Sequence, residues 1–192
     1  MACSRVLATP RLRIVPFTED YLTPRYVAWL NDPEVVRYSD QRHRRHTLAS
    51  CRAYWQSFAG TPHYFWAIVA RAAGPAGCGP GTGLHIGNIN AYVDVVHAVA
   101  DVGILLGERR VWGQGYGSEA WIAVCHYLLD EAGMRKVTAG TLAVNTAMLG
   151  IMRRAGMVED GRRQRHCLCE GRAVDVVHAA LFREGRHRKG EQ

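Results

Sequence analysis

The sequence predicts one domain of the α/β (α+β) class, and two segments of the chain support that prediction. In the first, an apolar strand pattern over residues 102–106 enters a glycine-rich turn, and a helix pattern over residues 118–130 follows. In the second, a strand pattern over residues 137–143 is followed by a helix pattern over residues 147–155. Strands that alternate with helices are typical of mixed α/β domains.

Composition favours a globular chain. Of the 192 residues, 48% are hydrophobic and 21% are charged, which excludes a disordered chain. We expect one domain over residues 1–192, with a folded core over residues 10–183 and a basic, flexible tail over residues 184–192. No apolar run approaches the roughly 20 residues of a membrane span, and the first nine residues lack the apolar region of a signal peptide. The sequence therefore predicts a cytoplasmic protein without a membrane partner.

The first predicted elements are a strand and a helix. Residues 11–17 alternate polar and apolar side chains, as a half-buried strand does. Thr18 is a candidate N-cap for a helix over residues 21–30, in which Pro24 fits only the first turn. Turn chemistry at Asn31, Asp32 and Pro33 ends that helix.

A helix pattern, a strand pattern and a loop follow. Residues 48–58 carry apolar side chains at helical spacing, and residues 63–70 are aromatic and β-rich. Residues 74–83 contain five glycines and two prolines, which indicates a loose hairpin loop. The remaining patterns are strands over residues 84–96, 99–106 and 136–143, the two helices already described, and two last strands over residues 157–168 and 173–182 that turn at Glu170-Gly171.

The glycine-rich turn is Arg110-Val-Trp-Gly-Gln-Gly-Tyr-Gly117. A strand that enters such a turn and then a helix presents unpaired backbone N–H groups at the positive end of a helix dipole, which is a site for anions. The turn lacks the Gly-Lys-Ser/Thr ending of a P-loop and the Gly-x-Gly-x-x-Gly spacing of dinucleotide-binding folds. An ordinary tight turn is the alternative interpretation of the glycines.

Three motifs together resemble one enzyme superfamily. Arg-x-x-Gly-x-Gly from Arg110 to Gly115 resembles the pyrophosphate-binding signature, Gln/Arg-x-x-Gly-x-Gly/Ala, of the GCN5-related N-acetyltransferases (GNAT), which bind acetyl-CoA. The strand, Asn145, helix and Ala155-Gly156-Met157 resemble the second half of that family's core. Trp29-Leu-Asn-Asp-Pro-Glu-Val is similar to the W-x-x-D-P-x-V turn of RimJ/RimL-type members.

The resemblance implies a fold and a coenzyme site. The fold is a mixed, mostly antiparallel sheet of about seven strands flanked by helices, splayed between the fourth and fifth strands so that the pantetheine arm pairs with the fourth. The implied coenzyme ligands are backbone groups of the strand, those of the glycine turn, and the side chains of Arg110 and Asn145: Ile104, Leu105, Leu106, Arg110, Val111, Trp112, Gly113, Gln114, Gly115, Tyr116, Gly117 and Asn145. Arg110 as a solvent-exposed loop residue and Asn145 as a plain helix N-cap are the alternatives.

The catalytic groups are less fully specified. Relatives often carry a glutamate in an E-x-G sequence on the fourth strand, and the matching residue here is Asp101, a candidate base that draws the ammonium proton through a water. A structural aspartate is the alternative, and His85 and His97 are rival bases because histidine titrates in the useful range.

The general acid is where the sequence departs from the family. The tyrosine that many relatives carry seven residues after the asparagine is Met152 here, and the serine of RimL-like proteins three residues after it is Met148. Neither methionine donates a proton usefully. Tyr116 and Tyr127 do not stand at the family's position, so we assign no acid.

The resemblance implies an N-acetyltransferase that moves the acetyl group of acetyl-CoA to a primary amine by direct attack in a ternary complex. The acceptor is a protein N-terminus or a small-molecule amine such as an amino sugar, an antibiotic or a polyamine. The polar, basic loop over residues 41–46 suits an acidic or phosphorylated acceptor, unless it is simply solvated. A non-catalytic CoA-binding or sensor module is the second class of function.

Charge and cysteine content add three expectations. The formal charge of +7 suggests nucleic-acid binding, but much of the excess lies in residues 162–165 and 183–189, without a recognition signature, so we expect no specific nucleic-acid partner. The six cysteines show no Cys-x-x-Cys or zinc spacing, so we expect reduced thiols and no metal. A homodimer through an added edge strand is possible, as in other such folds.

Overall fold

One eight-stranded sheet dominates the computed structural model, which describes residues 5–71 and 83–183. Within these ranges the strands, in chain order, are β1 (Leu7–Ala8), β2 (Leu12–Pro16), β3 (Tyr64–Ala70), β4 (Leu84–Asp94), β5 (Val99–Leu106), β6 (Lys136–Leu142), β7 (Val158–Cys169) and β8 (Arg172–Phe182). Their spatial order is β1-β2-β3-β4-β5-β6-β8-β7. Neighbouring strands are antiparallel except β5 and β6, which are parallel. The predicted mixed, mostly antiparallel α/β fold is confirmed.

The four α-helices are α1 (Pro24–Asn31), α2 (Leu48–Gln56), α3 (Tyr116–His126) and α4 (Thr146–Arg154). Pro24 stands in the first turn of α1, as predicted, because a proline there loses no intrahelical bond. The predicted cap at Thr18 is wrong. Thr23 caps α1 instead, its hydroxyl accepting a hydrogen bond from the Tyr26 N–H at 3.2 Å, while Thr18 precedes a short 3₁₀ turn and makes no cap bond.

Each face of the sheet buries its own hydrophobic cluster. Side chains of α3, including Trp121 and Val124, pack on one face. Side chains of α1 and α2 pack on the other, among them Trp29 and Cys51. Beyond a bulge near its start, β4 alternates between the two faces, so that Ile89 and its odd-numbered neighbours belong to the first cluster. From Asn88 onward, the even-numbered residues of β4 therefore lie on the α1–α2 face.

The structure adds to the predicted elements and shifts their ends. The two-residue strand β1 is the eighth strand, beyond the seven that the patterns indicate. Helix α3 begins at Tyr116, two residues before the predicted start, because Gly115 adopts the left-handed conformation (φ 84°) just before it. The turn between β7 and β8 lies at Glu170 and Gly171, as predicted, and both residues have positive φ.

Some expectations fall outside the described residues. The tail over residues 184–192 and most of the hairpin loop over residues 74–83 lie there, and the extent of the domain stays a prediction. Across residues 5–71 and 83–183, every helix is too short or too polar to cross a membrane. The cytoplasmic location stays a prediction.

Candidate active site

The sheet opens between β5 and β6. These strands pair only at their first residues, with Val99 opposite Lys136, Ala100 opposite Val137 and Asp101 opposite Thr138. Beyond this point β5 continues to pair with β4 as far as Leu106, and β6 continues to pair with β8. The edge of β5 that faces β6 is therefore open from residue 102 to residue 106, and this is the predicted splay.

The glycine-rich turn closes one end of this opening. Gly113 and Gly115 have φ values of 74° and 84°, which a residue with a Cβ adopts only with strain. A Cβ at Gly117 would lie 3.0 Å from the Leu106 side chain and 3.2 Å from that of Ile151. Glycine at these positions therefore both shapes the turn and lets the start of α3 pack closely against β5.

Only some of the turn's amides are available to a ligand. The N–H groups of Val111, Trp112 and Gln114 already donate to backbone carbonyls within the segment. The Glu119 N–H bonds to the Gly115 carbonyl at 3.1 Å, so the preceding amides at the start of α3 have no intrahelical partner. The anion site predicted over residues 111–117 narrows to Gly113 and the amides around the helix start.

A cluster of side chains between β1 and β2 and on α3 braces the turn. The Arg11 guanidinium donates to the Gln114 carbonyl at 2.8 Å and to the Glu119 carboxylate at 2.6 Å, and it lies 4.3 Å from the centre of the Tyr116 ring. The Glu119 carboxylate also accepts hydrogen bonds from the Thr9 hydroxyl at 2.5 Å and from the Arg11 backbone N–H at 2.9 Å. Burial acts to raise the pKa of Glu119, but these hydrogen bonds outweigh it and lower the pKa. We call Thr9, Arg11 and Glu119 the Arg11 brace.

A cleft of about 1510 Å³ runs from the glycine turn, past the opening between β5 and β6, to the helices α1 and α2. Its coenzyme half is lined by backbone and side chains of residues 102–106, 111–118 and 140–142, and by α4. Pockets for drug-sized ligands are usually about 300–1,000 Å³, so the cleft has room for more than one ligand.

Asn145 lines the cleft and caps α4 at the same time. Its side-chain oxygen accepts a hydrogen bond from the Met148 N–H at 3.2 Å, and its amide donates to the Thr141 hydroxyl at 3.1 Å. The N-cap role, which sequence analysis left as an alternative, is confirmed. A contact with the coenzyme stays a prediction.

Arg110 and Asp101 do not line the cleft among the described residues. The Arg110 side chain is 94% exposed, and its nearest acidic partner is Glu108 at 4.0 Å. Asp101 is exposed at the last position where β5 pairs with β6, and it accepts a hydrogen bond there from the Thr138 hydroxyl at 3.3 Å. Desolvation by the surrounding protein raises the pKa of Asp101, against the opposing influence of Thr138 and His178.

The rival bases lie elsewhere. His85 is buried among the rings of Phe17, Tyr21 and Trp29, and burial lowers its pKa to about 4. His97 is exposed in the turn before β5, where its backbone N–H donates to the Asp94 carboxylate. Neither side chain lines the cleft as described.

Methionine occupies the two positions where relatives carry a tyrosine or a serine. Met152 is buried in the core at 2% exposure, whereas Met148 lines the cleft. Of the two tyrosines that sequence analysis considered as proton donors, Tyr116 lines the cleft, and Tyr127 packs against Trp66 away from it.

Sequence analysis missed Arg154, which lines the coenzyme half of the cleft. Its Nε donates to the Ser118 hydroxyl at 2.9 Å, and its guanidinium lies over Gly150, where a Cβ would be 3.4 Å away. The arginine thereby holds a positive charge beside the free amides at the start of α3. The position of Arg154 on the predicted helix after Asn145 does not indicate this role, because the hydrogen bond to Ser118 joins residues 36 positions apart in the sequence.

Sequence analysis predicted only part of the other half of the cleft, which we call the acceptor half. The loop over residues 41–46 contributes Gln41, Arg44, Arg45 and His46 to its lining, and Glu34 and Asp40 lie at the same end. The hydroxyls of Tyr54 and Tyr92 are hydrogen-bonded at 2.8 Å, and burial raises the pKa of Tyr54. Asn88 and Asn90 of β4 complete the lining.

Thiols and metal ligands add no further centre within residues 5–71 and 83–183. Cys51, Cys125 and Cys169 are buried and Cys167 is half-buried, all as free cysteines. Burial raises the pKa of Cys125 to about 12, so this thiol is unreactive. No three histidine, cysteine or acidic side chains in these ranges are grouped as a metal site requires.

Comparison with known proteins agrees with this geometry. The model of the acetyltransferase (GNAT) domain family matches residues 11–158. A GNAT-family acetyltransferase from Bacillus anthracis has a TM-score of 0.75 at 18% identity, over 94% of this chain and 100% of that one. No curated protein matches the chain in sequence.

Two further structures share the fold. RimL, a ribosomal L7/L12 alpha-N-protein acetyltransferase in complex with coenzyme A, has a TM-score of 0.77 at 14% identity, over 93% of this chain and 98% of that one. The spermidine N-acetyltransferase of Vibrio cholerae, in complex with CoA and spermine, has a TM-score of 0.76 at 13% identity, over 91% and 97%. At these identities the likeness concerns the fold.

A splayed sheet with a glycine-rich helix start beside the opening defines the chain as an acetyltransferase of the α/β type. It belongs to the acetyltransferase (GNAT) family, since the family model covers most of its length. It is therefore an enzyme of the acetyl-CoA-dependent N-acetyltransferase class.

Proposed function

We propose that the protein transfers the acetyl group of acetyl-CoA to a primary amine by direct attack in a ternary complex. One observation carries the proposal: a single cleft joins the open edge of β5 and the glycine turn to a separate, polar half beneath α1 and α2. Two substrates that occupy the two halves meet beside β5. Holding both reactants in one geometry removes much of the entropic barrier to reaction.

The coenzyme half fits acetyl-CoA. The amides around Gly113 and the start of α3 suit the pyrophosphate, and the charge of Arg154 supports it. On the open edge of β5, the backbone groups of Ile104 suit the pantetheine arm, which carries its own amides and pairs as a strand would. The Leu106 carbonyl already accepts the Trp112 indole N–H at 3.0 Å. RimL, which shares the fold, is complexed with coenzyme A.

The acceptor half suits an amine that also bears an anionic group. Glu34 and Asp40 attract an ammonium group, while Arg44 and Arg45 at the same end attract a phosphate or carboxylate. A phosphorylated amino sugar has this character, and a protein N-terminus has it where an acidic side chain lies close to the amine. Spermidine, the substrate named for the similar Vibrio cholerae enzyme, has only the amines.

Asp101 is the proposed base. Its raised pKa favours proton uptake near neutral pH relative to an ordinary carboxylate, and a chain of water would link it to the amine because it does not itself line the cleft. CoA leaves as the thiolate in this proposal, because no residue is assigned as the acid that would protonate it.

The test is release of CoA thiol from acetyl-CoA in the presence of four amines. We would use a peptide with a free N-terminus, spermidine, glucosamine and glucosamine 6-phosphate. Amine-dependent thiol release, with the acetylated amine found by mass spectrometry, is the expected result. Tight binding of acetyl-CoA without release by any amine would instead favour the non-catalytic CoA-binding module.

A further inference from the structure

Asn88 is a buried polar residue in an apolar layer of the sheet. It is 7% exposed, and its neighbours across the sheet are Ala67 on β3 and Leu105 on β5, both of which belong to the hydrophobic cluster under α1 and α2. A leucine or valine at this position would continue that cluster. The sequence instead places a carboxamide there.

The side-chain oxygen of Asn88 has no hydrogen-bond partner among the described residues. A buried acceptor without a partner destabilises the folded state, because it has lost its bonds to water and gained none in return. Nearly all buried polar groups in proteins are satisfied, so an unsatisfied one calls for an explanation. A ligand that supplies the missing donor is one such explanation.

The location of Asn88 indicates which ligand would supply the missing hydrogen-bond donor. The residue lines the acceptor half of the cleft together with Asn90 and Tyr92, which alternate with it on the same face of β4. The strand paired with it is β5, whose far edge is open where the proposed pantetheine arm would place the thioester, and Asn90 lies directly opposite Gly103. A Cβ at position 103 would lie 3.0 Å from the Asn90 oxygen, so the glycine leaves space beside this row of side chains.

We propose that the side-chain carbonyl of Asn88 accepts a hydrogen bond from the primary amine of the acceptor and so positions the amine for attack on the thioester. This proposal rests on the proposed acetyl transfer. A primary amine carries N–H donors whether it is charged or neutral, so one of them bonds to Asn88 while the nitrogen lone pair faces the acetyl carbon. The terminal torsion of an asparagine is soft, which lets the carbonyl turn toward the cleft that the residue lines.

The test exploits the two-sided effect of Asn88→Leu, which keeps the number of heavy atoms and the branching of the side chain. Removing an unsatisfied buried amide and restoring the apolar layer should raise the melting temperature by about 3 °C. The same change should raise the KM of the best amine in the four-member panel by about tenfold, because the amine then loses its acceptor in a buried site. The Kd of acetyl-CoA should not change.

Asn90→Leu is the matched control for stability. Its side chain lies two residues along the same face but is half-buried and has no unsatisfied atom shut off from solvent, so the melting temperature should not rise. Asn88→Ala is a second variant in case the leucine does not fit; it removes the carbonyl without adding volume, and the same rise in amine KM is expected.

Three results separate the claims. A higher melting temperature together with a higher amine KM supports the role of Asn88. An unchanged amine KM in both variants, with an active wild type, overturns this role but leaves acetyl transfer intact. A wild type that binds acetyl-CoA but acetylates no amine overturns the proposed function, and the role of Asn88 with it.

Discussion

Arg154 lies on α4 rather than in a loop, and it places a positive charge beside the start of α3. Its hydrogen bond to Ser118 fixes the guanidinium, and the absence of a side chain at Gly150 gives it room against α4. An arginine held in this way binds a phosphate with less loss of conformational freedom than a free surface side chain. Arg110, at 94% exposure, has no such support.

Replacement of Arg154 by alanine should therefore raise the Kd of acetyl-CoA by about tenfold, since charge-assisted hydrogen bonds are worth about 1.5 kcal/mol or more. Isothermal titration calorimetry measures the change. Arg153→Ala is the matched control, because both arginines are exposed on α4 but Arg153 does not line the cleft as described. Equal effects of the two substitutions would contradict a specific role for Arg154.

Asp101→Asn tests the proposed base with an almost isosteric side chain. Loss of the proton acceptor should lower kcat by about 100-fold, the lower end of the range for general-base catalysis, while the Kd of acetyl-CoA stays the same. The pH profile of kcat/KM adds a second measurement, because the acid limb set by the Asp101 carboxyl should disappear. An asparagine variant with wild-type kcat would leave Asp101 as a structural residue bonded to Thr138.

At the scale of elements, the glycine turn depends on the connection between β1 and β2. The Arg11 brace joins this connection to the Gln114 carbonyl and to the first turn of α3, across 103 residues or more of sequence. It fixes the direction in which the free amides of the turn point. Preorganised amides bind an anion more tightly than amides that must first be ordered.

Arg11→Met, which keeps much of the side-chain length but removes the donors, should raise the Kd of acetyl-CoA several-fold. The variant should also melt at a lower temperature, because the Glu119 carboxylate loses partners. Arg5→Met is the control, since Arg5 forms an ion pair with Glu131 on the surface away from the turn. An unchanged affinity for acetyl-CoA in the Arg11 variant would show that the turn needs no brace.

The parts of the fold that sequence analysis predicted are those that depend on local patterns. The strand over Val99–Leu106 was predicted with its observed ends, because apolar and β-branched residues mark it and the glycine turn follows it. Pro24 marked the first turn of α1 in the same way. Thr18 was mistaken for the cap because two threonines precede the helix. Both have an extended backbone, and they differ in that only the Thr23 side chain accepts a capping hydrogen bond, from the Tyr26 N–H.

The missed site residues are those that depend on distant pairing. Asn88 faces the cleft only because of its register in the sheet, and a bulge at the start of β4 shifts the pairing of β4 with β3 by one residue. Arg11 reaches Glu119 across 108 residues. No local pattern in the sequence encodes either contact, whereas the glycine turn is itself a local feature.

At the scale of the whole molecule, the cleft combines charges of both signs at its acceptor end. Reversing the charge of both arginines, in Arg44→Glu/Arg45→Glu, should raise the KM of glucosamine 6-phosphate by about tenfold, because the phosphate then meets repulsion rather than attraction. The KM of glucosamine, which lacks the phosphate, and the Kd of acetyl-CoA should not rise. Steady-state kinetics with the two sugars measures the difference.

Arg52→Glu is the control for this pair, since Arg52 lies on α2, pairs with Glu19 and does not line the described cleft. An unchanged KM for the phosphorylated sugar in the double variant would remove the idea that the loop over residues 41–46 recognises an anionic acceptor.

The most direct test of the account is calorimetric titration of acetyl-CoA into the wild type and Gly115→Trp. Gly115 has φ 84° and lies at the start of α3, so a tryptophan there strains the turn and fills the space that the pyrophosphate would take. Gly133→Trp is the matched control, because Gly133 has φ 77° with nothing within 4 Å of its Cβ position and lies away from the described cleft. We expect binding by the wild type and Gly133→Trp and none by a folded Gly115→Trp; a folded wild type that does not bind acetyl-CoA would contradict the account.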